Sequence, residues 1–171
     1  MAGTSLPEPW LRGTLTDVPA VLRAVLHALE LAREDAERFC GPLTEAELHA
    51  RPFGMASVAF HLRHMGRSID RLLTYAEGGS LSEEQLAALK SEMDANVTED
   101  EVFAEMRQAF EAADARIRAF DVSALEDVRR VGRKQLPTTV GGLLVHVADH
   151  TQRHTGQAIT TSKLVLAMRD K

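Results

Sequence analysis

Hydrophobic positions recur at three- and four-residue steps along four stretches of this chain, and each stretch reads as one face of an amphipathic helix. Val18, Leu22, Val25, Leu26, Leu29, Ala32, Ala36 and Phe39 form the first stripe, which Gly41-Pro42 stops. Val58, Leu62, Met65, Ile69, Leu72 and Ala76 form the second, from about Ser57 to Glu77, closed by Gly78-Gly79. Val102, Met106, Ala109, Phe110, Ala113, Ile117 and Phe120 give the third its buried side. The fourth begins near Thr138 or Thr139, either a suitable N-cap after Pro137, and runs through Val140, Leu144, Val147, Thr151 and Ala158 toward Met168.

The connections carry their own signals. Thr44 with Glu47 and Ser82 with Gln85 have capping-box spacing, so each predicts a short helix, and Thr98-Glu99-Asp100-Glu101 opens the third long one. Residues 121 to 137 read as the longest irregular piece, locally basic at Arg129, Arg130, Arg133 and Lys134. Together these elements predict an all-α, antiparallel four-helix bundle with short connecting helices, in which not every neighbour is joined by a tight turn. The 171 residues suit one domain, 1–171, long enough to bury a core without a disulfide or a structural metal. Any metal is therefore expected to be functional.

Composition narrows the partners. With 44% hydrophobic and 5% aromatic residues, the chain favours helix over sheet. The net charge of −5 and the lack of a basic stripe argue against nucleic acid and anionic membrane as partners. No apolar run approaches a bilayer span, and MAGTSLPEPWLRG has no basic region followed by an apolar core, so a cytoplasmic location is expected. The single Cys40 cannot form an internal disulfide and reads as a small apolar residue ending the first helix.

The candidate chemistry lies in the histidines. His146, His150 and His154 make a slanting row on the fourth helix. At 100° per residue, His154 sits about 40–50° from the centre of the apolar stripe, His150 about 90° and His146 about 130°. The first two thus flank the core while His146 turns outward. Residues four apart on one face can converge on one ion, and a third ligand is available on the second helix from either His61 or His64, with His61 closer to its stripe. Neutral imidazoles suit Zn, Ni, Cu and Fe, and three of them leave a position open for water or substrate.

Two segments carry a family resemblance. Ser57-Val58-Ala59-Phe60-His61-Leu62-Arg63-His64 is similar to a pattern with His seven positions after Ser, and His146-Val147-Ala148-Asp149-His150-Thr151-Gln152-Arg153-His154-Thr155-Gly156-Gln157 is similar to a closing HxxxHRGQ helix. On these residues nearly the whole chain resembles the DinB/YfiT-like superfamily. The resemblance implies an antiparallel four-helix bundle, a divalent metal, often Zn or Ni, held by His64, His150 and His154 at one mouth, and frequent homodimers. Its register selects His64 over His61. The chain departs from the pattern where Thr155 replaces Arg, while Arg153 precedes the last His; Gln157 matches.

Relatives of this kind are hydrolase-like or use low-molecular-weight thiols such as bacillithiol or mycothiol, so both thiol transfer and hydrolysis are implied. Hydrolysis requires a general base near the metal, for which Asp149, Asp70 and Glu34 are the candidates. Thiol transfer requires less of the protein, and the basic residues Arg129, Arg130, Arg133 and Lys134 would hold the carboxylates of an acidic thiol. A non-catalytic bundle binding a small molecule or a protein partner is the alternative class.

Overall fold

The computed structural model describes residues 6–169. The four periodic stretches are the long helices α1 (Ala20–Cys40), α3 (Val58–Ala76), α5 (Glu99–Arg118) and α6 (Val140–Arg169), with α2 (Glu45–Leu48) and α4 (Glu83–Lys90) as the short helices between them. The three capping boxes form as their spacing dictates, at Thr44/Glu47, Ser82/Gln85 and Thr98/Glu101. Ser57 caps α3 through Phe60 N–H, and Thr139 Oγ1 accepts from Gly142 N–H at the start of α6.

Each long helix buries two neighbours: α6 packs on α1 and α3, and α5 packs on α3 and α1. Side-chain pairings fix the directions. His61 meets His154 while His64 meets His150, so α3 and α6 are antiparallel. Arg63 meets Glu105 while Asp70 meets Arg116, so α3 and α5 run parallel. Gln152 reaches Ala28 O and Ser162 reaches Phe39 O, so α1 and α6 are parallel as well. The bundle is thus antiparallel across two seams and parallel across the other two.

A parallel pair cannot be joined by a tight turn. The segment between α3 and α5 therefore travels back along the bundle, carrying α4 with it. Three arginines at four-residue steps on α3 hold this crossover. Arg63 donates to Asp94 O, Arg67 to Ala88 O and Ser91 Oγ, and Arg71 to Glu92. Helix α3 is covered on so many sides that Arg63 itself is buried, its charge met by Glu105.

The stretch expected to be irregular contains a hairpin. Strands β1 (Val128–Val131) and β2 (Leu136–Thr139) pair antiparallel, with Val128 opposite Thr139 and Val131 opposite Leu136. Four-residue strands are too short to show a period of two, and Pro137 lowers the strand signal further. Strand β1 rests on α3 and β2 on α6. Among the described residues no helix is long and apolar enough to cross a membrane.

Candidate metal centre

The antiparallel seam between α3 and α6 brings His64, His150 and His154 together. Each offers one ring nitrogen, and the three atoms lie within 4.8 Å of one another. The Nε2 atoms of His64 and His150 are 2.9 Å apart. Phe60, one turn before His64, stacks on that ring at 5.3 Å between centroids and sets its plane.

His64 turns its other nitrogen toward the crossover, where Nδ1 lies 2.7 Å from Glu92 Oε2. Glu92 is only 5% exposed, and its Oε1 accepts from Arg71 Nη1 at 2.8 Å. Burial alone would raise the Glu92 pKa, but the bonds to His64 and Arg71 outweigh it and hold the group ionised. An anionic Glu92 keeps the His64 proton on Nδ1, leaving the Nε2 lone pair facing the other two rings.

His61 stands beside the cluster rather than in it. Its Nδ1 is 3.0 Å from His154 Nδ1, which leaves Nε2 of His154 for the cluster. Burial, reinforced by the charge of His64, pushes His61 and His150 down to about 4 and His154 to about 3. These three imidazoles are neutral at pH 7, the state in which a ring nitrogen binds a cation. His150 Nδ1 is the one buried side-chain nitrogen or oxygen among the described residues without a hydrogen-bond partner. Three converging ring nitrogens and a carboxylate buttressing one of them fit a divalent ion.

The carboxylates considered as bases are engaged elsewhere. Asp149 is exposed and pairs with His146 at 2.8 Å, Asp70 pairs with Arg116, and Glu34 with Arg12. His146 keeps the outward position its angle implied. Gln157 bonds to none of the three histidines and is exposed along a cavity beside His61. Thr155, where the pattern has Arg, is buried and bonded to Thr151 O and Met65 Sδ.

The basic hairpin does not serve this site. Arg129 donates to Ala76 O at the far end of α3, twelve residues and about 18 Å along the helix from His64. Arg130 is tied to Gln135 O within the hairpin. Sequence reasoning missed Glu92, which sits in a connection with no periodicity to mark it. The row Arg63, Arg67, Arg71 was the legible sign that α3 grips something acidic or carbonyl-rich.

No curated protein sequence matches the chain. The family model of the DinB superfamily matches residues 28–158, a span that includes all three converging histidines and Glu92.

Proposed function

Because the chain belongs to the DinB superfamily, we propose that His64, His150 and His154 hold one divalent ion, Zn or Ni, and that the protein is a metal-dependent enzyme acting with a low-molecular-weight thiol. The observation that carries this reading is the convergence of three imidazoles with the nearest buried carboxylate, Glu92, placed behind His64. Both Glu92 oxygens are spent, on His64 and Arg71, so it orients a ligand rather than accepting a substrate proton. A hydrolase would require a free base at the cluster, and Asp149, Asp70 and Glu34 are all paired away from it.

A divalent ion held by His64, His150 and His154 would supply a Lewis acid able to bring the pKa of a thiol toward neutrality, so that the thiol could give its proton to solvent and displace a leaving group from an electrophilic carbon. The protein's part is to fix three imidazoles, keep His64 in one tautomer through Glu92, and hold Phe60 as an apolar wall.

Elemental analysis of untagged protein tests the ligands: one ion per chain is expected in the wild type and loss of it in His64→Ala and His150→Ala. Stoichiometric metal in either variant overturns the assignment. Turnover of thiols with electrophiles, against panels of amides and esters, tests the reaction class. Ester or amide cleavage without thiol would establish the hydrolytic alternative, and a loaded protein inert to both would favour a binding role.

A further inference from the structure

Beside the cluster, between the loop preceding α3 and the outer face of α6, lies a cavity of about 490 Å³ lined by Met55, His61, Arg153, Gly156, Gln157 and Thr160. Its most informative residue is Gly156. This glycine lies inside α6 with no positive φ, and a Cβ built on it would meet nothing within 4 Å. Neither a turn nor a close approach requires glycine there, yet glycine inside a helix costs about 1 kcal/mol relative to alanine. What the missing side chain does provide is space in the cavity.

The polar lining favours an anion. Arg153 is exposed and held only loosely, 3.7 Å from Asp149, which has a closer partner in His146. His61 is 5% exposed, and its only hydrogen bond is through Nδ1 to His154. On the metal reading His154 ligates through Nε2 and is protonated at Nδ1, which donates to His61 Nδ1. His61 then carries its own proton on Nε2, a donor free for a ligand. Gln157 adds an amide, and Met55 an apolar wall.

We propose that this cavity binds the carboxylate-bearing end of a small molecule, with Arg153 as counter-charge, His61 Nε2 and Gln157 as donors, and Gly156 keeping the space clear. The proposal rests on the three-His metal reading for its orientation, since His61 links the cavity to the cluster. An Arg guanidinium recognises a carboxylate as a two-point fork, which a neutral amide of the same shape cannot reproduce.

The probes are N-acetylcysteine and its carboxamide, titrated into Zn-loaded protein while the backbone amides of Gly156 and Gln157 are followed by NMR. The acid is expected to shift both amides and bind at least tenfold tighter than the amide. Arg153→Gln should bring the two within about twofold, a fivefold loss of discrimination worth roughly 1 kcal/mol. Gly156→Leu should abolish the Gln157 shift while the protein keeps its metal and a thermal midpoint no lower than that of the wild type. Equal binding of acid and amide by the wild type, or an undiminished Gln157 shift in Gly156→Leu, would overturn the proposal. His64→Ala separates the two readings: metal lost with acid binding retained leaves the cavity standing, and a metal-loaded wild type without acid preference leaves only the metal site.

Discussion

At the scale of single residues, the histidine cluster depends on a partner outside it. Glu92→Gln keeps the shape but removes the charge that fixes the His64 tautomer, and such buttressing carboxylates typically account for 10–100-fold in metal affinity. A loss of that order is expected in competition with a chromophoric chelator, with the midpoint of unfolding changed far less. Cys40 offers a contrasting case. Burial, aided by the charge of Asp35, pushes its thiol up to about 12, so the native protein should not react with an aromatic disulfide at pH 8 and should release one equivalent on denaturation. The helix wheel located His150 and His154 but could not separate His64 from His61. Both histidines of α3 are sheltered because the helix is enclosed on most sides, and an angle measured from one stripe cannot distinguish the histidine that joins the cluster from its neighbour one imidazole away.

Among the elements, two glycines in long helices make opposite predictions from the same substitution. Alanine gains about 1 kcal/mol of helix propensity at either position. At Gly156 nothing opposes it, and Gly156→Ala should raise stability by about 0.5–1 kcal/mol. At Gly66 a Cβ would come 2.9 Å from Ala109 Cβ across the α3–α5 seam, where overpacking typically costs about 1–3 kcal/mol. Gly66→Ala should therefore lower the denaturation midpoint despite the better propensity. Helix existence and starts were legible because stripes and capping boxes are local; α1, α3, α5 and α6 begin within a few residues of their signals. The hairpin was not legible, since β1 and β2 are each four residues long and rest on α3 and α6 for their stability.

For the whole molecule, three imidazoles held neutral make the metal-free protein sensitive to acid. His61 and His150 protonate near 4 and His154 near 3 when folded, against 6.5 when unfolded. The unfolded chain takes up protons first, so this contribution is complete above pH 6.5 and is lost as pH falls toward 4. Thermal scans of metal-free protein should show a midpoint falling across that window, and His154→Asn should flatten the slope. A slope unchanged in the variant would mean the cluster is not the source. Periodicity could not reveal which helices run parallel, because that depends on pairings such as Arg63 with Glu105 that join residues far apart in sequence.

The parallel pairing of α3 with α5 has a consequence for how the chain can vary. Connections on protein surfaces ordinarily tolerate changes in length at little thermodynamic cost. The one between these helices is different, because Glu92 must arrive opposite His64 while Asp94 O and Ala88 O arrive opposite Arg63 and Arg67. Removing two residues from the stretch between Gly79 and Ser82 should leave a folded bundle whose carboxylate is out of register, with weaker metal retention. The same deletion at the Gly132–Gln135 turn, in the hairpin that Arg129 ties to the far end of α3, should leave metal retention unchanged. The crossover acts as a ruler, and indels would be read there as changes in the site before they are read as changes in the fold.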